Sequence, residues 1–417
     1  MDFNMEKPSK KRKCKLQEDE QTNGLDSLPT EIALDIFSRL SMTSVIQSRF
    51  VCRSWQNLSH DRNLVSMHLS QVAKRDPLLM FHSDFPIRNQ LCFAEFSGDD
   101  HDAKGVVKKI SIPFSASMPE FTVVGSCSGL LCLRDSLFKD AICIYNPFTN
   151  YYKDLPKTRQ YDDEIVLCGF GYHPETKQYK VVKIVYYLIA DIQDSRVRRI
   201  RTRRRSKSEV LVLCSGNNKW RNIGQVPYYL ERRSQGALFT NGRLHWLTRG
   251  VYGNVRGLII ISFDLSDEKF HEVLRPDFSS AADGHNYLLA SLKGCLSAVV
   301  YKDELQRDLE IWVMKEYNVK ESWIKEFKIG GNVPESPSTK LQQPLRIWRN
   351  TCIRESARVL CILRNGEILI EYKVGKLALY DVVSGRYKDI TFKGMPRIFQ
   401  TVVHYGSLNQ IDLPVNT

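Results

Sequence analysis

The spacing of apolar positions changes once along the chain. Between Leu28 and Trp55 (LPTEIALDIFSRLSMTSVIQSRFVCRSW), Leu28, Ile32, Ile36 and Leu40 recur every four residues, with Ala33 and Phe37 beside them. That spacing predicts a helix with an apolar stripe. Pro29 suits a first helical turn, and Glu31 and Asp35 favour the N-terminal half of the helix dipole. After Ser41 the pattern restarts, with Thr43 or Ser44 as cap and Val45, Ile46, Val51, Trp55 and Leu58 as the next apolar set. Two or three short helices are predicted, in a module spanning residues 25–71. From Pro77 onward, short apolar, aromatic and β-branched runs alternate with Gly, Pro, Asn, Asp and Ser, which predicts strands and turns.

A repeat runs through the strand-rich part. Tyr145-Asn146, Phe263-Asp264 and Tyr380-Asp381 each pair an aromatic with Asn or Asp. A second aromatic follows at a fixed offset, Tyr152, Phe270 and Tyr387, and then an aliphatic residue, Leu155, Val273 and Ile390. This predicts a hairpin in which the Asn or Asp side chain bonds its own backbone to make the turn. Looser copies surround Trp220 and Trp323, and the five return-strand aromatics lie 50 to 68 residues apart. Such periods suit propeller blades of four short strands, the longer ones carrying insertions. GLLCL at 129, FGYH at 170, GRLHWL at 242, GCLSAVV at 294 and GEILIEY at 366 are the candidates for inner strands. Gly169 and Gly171 read as strand turns. A sixth blade can form from Leu78–His82, Leu91–Phe96 and Val106–Ile112 with the C-terminal TVVHYGSL, which closes the ring. A two-sheet sandwich is the alternative. The fold class expected is α+β multidomain: a small all-α module, then an all-β propeller over residues 77–408.

A helical unit of this size has too little core to be stable alone. It packs either on its own chain or, through Leu28, Pro29, Ile32, Ile36, Val51 and Trp55, on a partner. The order Leu28-Pro29, Ile32, Ile36-Phe37, Leu40, Ser44, Arg49, Val51-Cys52 and Ser54-Trp55 resembles the F-box, the module that docks receptors onto a Skp-type adaptor of a cullin ubiquitin ligase. His68-Leu69 also stand where that family often has the same pair. The sequence departs at Ser41, Gln47, Ser48 and Leu64, positions where Pro, Arg, an aromatic and Phe are common. VGSCSGLLCL, IYNPFTNYYKDLP, GFGYHPETKQYKVVKI, NGRLHWLT and ISFDLSDEKFHEV resemble the F-box-associated interaction domain, related to kelch propellers, of a large plant group.

The resemblance implies a substrate-recognition subunit of a Skp–cullin–F-box ligase. Leu28, Pro29, Ile32, Ile36, Leu40, Val51, Cys52 and Trp55 would hold the adaptor and, through it, a cullin. The propeller would hold a client protein and promote its ubiquitination and degradation. No catalysis and no cofactor is implied for this chain.

Charge complicates this picture. The net charge is +13, and two runs supply it: residues 7–15, and an insertion at 191–208 containing Arg198, Arg199, Arg201, Arg203, Arg204 and Arg205. The first belongs to a polar tail, residues 1–24, expected to be disordered, in which KKRK reads either as a solubilising run or as a nuclear import signal. The second could contact an acidic client or phosphate, with salt-sensitive binding, or be a solvated insertion. It has no interleaved aromatics, which disfavours base readout. The alternative function is therefore a basic propeller that binds nucleic acid or another polyanion.

Eleven scattered cysteines without a CxxC pair fit free thiols and offer no zinc-site spacing, and Cys52, Cys132, Cys143 and Cys295 read as small core residues. No apolar run reaches membrane-spanning length, and no secretory core follows the N-terminus. A cytoplasmic protein is expected, nuclear as well if KKRK acts in import. Phosphate loops and hydrolase or metalloprotease motifs are absent. His245-Trp246 is expected to line the core or the channel. Chemistry in a propeller channel would require paired carboxylates there.

Overall fold

The computed structural model describes residues 28–96, 105–137, 141–161, 164–188, 206–230, 237–252, 255–276, 287–301, 309–330, 357–372 and 375–409. Four short helices come first: α1 (Thr30–Ser38), α2 (Met42–Ser48), α3 (Arg53–Leu58) and α4 (Arg62–Val72). Pro29 stands at the N-cap of α1 rather than inside its first turn. The cap of α2 is Ser41, not Thr43 or Ser44, its Oγ accepting from the Ser44 N–H at 3.1 Å. Asp61 caps α4 through the Asn63 N–H at 2.7 Å.

The strands follow in order: β1 (Leu78–Phe85), β2 (Gln90–Ala94), β3 (Lys108–Lys109), β4 (Phe121–Cys127), β5 (Leu130–Asp135), β6 (Ile142–Tyr145), β7 (Tyr152–Asp154), β8 (Ile165–His173), β9 (Gln178–Leu188), β10 (Ser206–Cys214), β11 (Arg221–Gly224) and β12 (Leu238–Thr240). The second half contains β13 (Arg243–Tyr252), β14 (Val255–Asp264), β15 (Phe270–Val273), β16 (Tyr287–Leu292), β17 (Cys295–Tyr301), β18 (Leu309–Met314), β19 (Trp323–Ile329), β20 (Arg358–Ile362), β21 (Ile368–Tyr372), β22 (Lys376–Asp381), β23 (Arg386–Ile390) and β24 (Ile398–His404). They form six four-stranded antiparallel sheets, each a blade of a propeller, and the sandwich alternative does not hold. The ring closes as expected, by β24 pairing with β1 in the order β24-β1-β2-β3. TVVHYGSL is strand only to His404, however; Tyr405–Asn409 leaves the sheet.

The three repeated hairpins are third-to-fourth strand turns, and their aromatics are cross-strand partners: Tyr145 with Tyr152, Phe263 with Phe270 and Tyr380 with Tyr387. Asn146 Oδ1 accepts from the Phe148 N–H at 2.9 Å, Asp264 Oδ1 from Ser266 at 2.7 Å and Asp381 Oδ1 from Val383 at 2.9 Å. These are the side-chain turns that the repeat implied.

The assignment of inner strands needs correction. The strands lining the axis are β4, β8, β12, β16, β20 and β24, each touching the first strand of the neighbouring blade. Of the five candidates only FGYH belongs to one of them; GLLCL, GRLHWL, GCLSAVV and GEILIEY are second strands. Second strands are covered on both edges and both faces, so they are the more uniformly apolar, whereas a first strand has one edge along the channel. Gly169 and Gly171 are not turns. Both lie within β8, where an added Cβ at Gly169 would stand 2.7 Å from Leu244 and one at Gly171 would collide with Phe239, so they let the next blade approach.

Candidate functional site

The helical module has two apolar faces. Ala33, Leu34 and Phe37 of α1 are buried, and Leu34 and Phe37 pack with Met42, Val45, Leu64 and Val65. Trp55 meets Phe37 edge to face at 5.2 Å between ring centroids, and Leu40 and Leu58 pack on the same core. His68 Nε2 and the Arg75 guanidinium both bond the carbonyl of Leu40, each at 3.2 Å, fixing the end of α1 to α4. Burial lowers the His68 pKa.

The other face of α1 has no cover. Ile32 is 49% exposed and Ile36 38%, one turn apart on one side of the helix, while Val51 is 58% and Phe50 86% exposed. Of the eight residues singled out in the sequence, Pro29, Ile32, Ile36 and Val51 are thus exposed, while Leu28, Leu40, Cys52 and Trp55 are partly covered. Leu40 and Trp55 belong to the module's own core as well. Phe50 was missed: it follows α2 outside any helical period, and its signal is only that an aromatic sits between Arg49 and Val51.

The module is locked to the propeller by the segment after β24. Leu408 is 4% exposed and completes the helical core, with Phe148 from the β6–β7 turn packed beside it. Asn146, fully buried, donates through Nδ2 to the carbonyls of Ser407 and Asn409, both at 2.8 Å. Ser407 Oγ and Asn409 Nδ2 donate to the carbonyl of Ser128 at 2.8 and 3.0 Å, and Asn409 Nδ2 meets the Tyr179 hydroxyl at 3.0 Å.

The helices stand at the end of the propeller where first and second strands turn into one another, since α4 leads directly into β1 there. The opposite rim joins second to third and fourth to first strands. Leu188 and Ser206, which flank the arginine-rich run, pair at that opposite rim. Ser206–Ser208 are strand rather than insertion. Arg198, Arg199, Arg201, Arg203, Arg204 and Arg205 lie outside the described residues, as do the N-terminal tail and its KKRK run.

The axial channel encloses about 1170 Å³, and the last turn of α4 with residues 73–77 borders one end. Asp76 is the one carboxylate among the described residues lining it, so among those residues no pair of acids converges there. His245 lies at its wall but on the second strand β13, bonding the Leu238 carbonyl at 3.2 Å and the Tyr317 hydroxyl at 2.8 Å, with burial pushing its pKa down to about 4; Trp246 beside it is core. Arg358 donates to Glu371 at 2.7 Å, and Glu371 accepts from the backbone and hydroxyl of Thr401 at 2.9 and 3.0 Å. That network joins the last blade to the first. Cys132 and Cys143 are buried, whereas Cys52 and Cys295 are only partly so. Among the described residues no group of His, Cys, Asp and Glu could hold a metal, and no helix is long and apolar enough to cross a membrane.

The chain is thus a short helical module with exposed apolar side chains, packed through Leu408 and Phe148 against a six-bladed propeller. Residues 25–71 match the F-box-like family and residues 77–405 the F-box associated beta propeller domain; the chain belongs to this family of F-box proteins. It is 44% identical over 401 residues to the F-box protein At3g07870 of Arabidopsis thaliana, covering 94% of each chain. It is 27% identical to the F-box protein CPR1 of the same plant, over 92% of this chain and 88% of that one, and 24% identical to the F-box/kelch-repeat protein At3g23880, over 87% and 89%.

Proposed function

We propose that the protein is the substrate receptor of a Skp–cullin–F-box ubiquitin ligase, binding the adaptor through the helical module and a client protein at the propeller rim opposite it. The observation that carries the reading is the bare apolar face: Ile32, Ile36, Phe50 and Val51 are exposed on a module whose core is already filled by its own helices together with Leu408 and Phe148. Exposed apolar side chains gathered on so small a unit mark a docking surface. The partly covered Leu28 and Cys52 would form its margin. The chain's contribution to ubiquitin transfer is positioning, which raises the effective concentration of a client lysine near the conjugating enzyme. We place this activity in the cytoplasm and, if KKRK acts in import, in the nucleus.

Co-expression with a Skp-type adaptor, followed by size-exclusion chromatography at moderate salt, tests the adaptor half. We expect a one-to-one complex for the wild type and none for Ile36→Asp/Phe50→Ser, which removes only exposed groups and leaves the propeller folded. A complex that survives this change with unaltered affinity would refute the docking face. Absence of any wild-type complex would refute the receptor reading and turn attention to salt-sensitive polyanion binding.

A further inference from the structure

The channel is wide enough for a small molecule, and its two kinds of lining are arranged in sequence along it. Each of the six first strands contributes an apolar side chain to the wall: Val123, Phe170, Leu238, Leu289, Leu360 and Val402. At the end bordered by the helical module the lining changes to Lys74, Arg75, Lys293 and Arg364, against one carboxylate among the described residues, Asp76. Asp76 accepts from the Arg364 backbone N–H at 2.8 Å, and Arg75 donates to the carbonyls of Arg39 and Leu40, bonds that do not cancel its charge. The remaining lining cation, Arg358, is balanced by Glu371. The channel therefore has a shaft lined mostly by apolar side chains, with Ser126, Ser291, Gln400 and Thr401 among them, and one cationic end.

We propose that this channel is a binding site for a small amphipathic anion, its apolar body in the shaft and its carboxylate, phosphate or sulfonate head at the cationic end. A purely apolar molecule would leave the cations unused, and an inorganic anion would leave the shaft wet. About 1170 Å³ exceeds the volume that usually encloses a drug-sized ligand. Lys74 and Arg75 follow α4 directly, so the head would touch the helical module and the body the propeller.

Anilinonaphthalene sulfonate, which combines an apolar body with a sulfonate, is the probe, titrated into the full-length chain and read by fluorescence. We expect saturable binding that decanoate displaces, that decanol displaces at least about tenfold less well, and that weakens as salt is raised. Inorganic phosphate alone should not displace it. Gly125→Phe places a ring in the shaft at a position where an added Cβ comes no nearer than 3.8 Å to Phe170, and it should abolish the displaceable signal. Leu289→Trp, plugging the shaft from another blade, should do the same. Lys293→Glu/Arg364→Glu should weaken binding about tenfold or more. Phe50→Ser, which removes the most exposed aromatic of the helical module, should leave it unchanged. The proposal is overturned if wild type shows no saturable binding, if decanol competes as well as decanoate, if displacement persists in both plugged variants, or if Phe50→Ser removes it.

Discussion

Ile36 and Trp55 look alike in the sequence, as members of one apolar set, and differ in the structure. Ile36 reaches solvent, whereas Trp55 packs edge-on against Phe37. We expect Ile36→Ala to change stability by less than about 0.5 kcal/mol, and Trp55→Ala to cost roughly 2–4 kcal/mol, as read by hydrogen exchange in the helices. Equal effects would mean that one of the two is wrongly placed. A pH dependence is written into three other side chains. His404 is buried, stacked on Phe148 and bonded through Nδ1 to Ser126 Oγ at 2.9 Å, and burial pushes its pKa down to about 3; burial likewise lowers His82 and His245 to about 4. Unfolded, these rings gain protons below about pH 6.5, while folded they refuse them until far lower. The folded state therefore binds fewer protons in that window, and stability that is full above about 6.5 is lost as pH falls towards 4. Between pH 7 and 5 each ring should cost up to about 2 kcal/mol. The urea midpoint should drop over that range, and His404→Gln should flatten the drop; an unchanged slope would show that this ring is already charged in the native state.

At the level of elements, the hairpins were legible because their chemistry is local. An aromatic, an Asn or Asp and a second aromatic at fixed offsets specify a turn with no help from elsewhere, as with Tyr145, Asn146 and Tyr152. The strand nearest the axis was not legible, because apolar content reports how completely a strand is covered, not where it stands in the blade. For the same reason the outward stripe of α1 could be found from its spacing, but which of its two apolar faces the chain itself would cover depends on Leu64, Val65 and Leu408, all distant in sequence. The turns give a test that separates backbone strain from space. Gly129 and Gly366 both turn a first strand into a second with positive φ, +80° and +90°. A Cβ at Gly366 would meet nothing within 4 Å, whereas one at Gly129 would lie 2.6 Å from the Ser407 backbone nitrogen. Gly366→Ala should cost only the roughly 1–2 kcal/mol of a left-handed alanine. Gly129→Ala should cost clearly more and loosen Ser407 as well, which denaturant midpoints of the two variants would compare directly.

For the whole molecule, Ser407 matters because the residues around it couple the two modules. Four short helices bury too little to be stable on their own. Their core is finished by Leu408, more than 330 residues from the last helix, and by Phe148 of a blade turn, a union that no local pattern announces. Gly406 lies so tightly between Met42, Phe148 and Leu78 that an added Cβ would come within 3.1 to 3.3 Å of each. The propeller, in contrast, is already closed by β24 before this segment begins. Deleting residues 406–417 should therefore leave the blades folded, with their strand-type circular dichroism intact, while amide exchange in α1 and α4 accelerates at least about tenfold as the helical module loses part of its core. Leu408→Asp should do the same by burying a charge without a partner. Adaptor binding should fall with the helices, because an apolar face can be presented in one orientation only by a module that holds its shape. If the truncated chain kept slow exchange in α1, the module would be folding by itself, and this clasp would not be what holds its apolar face in place.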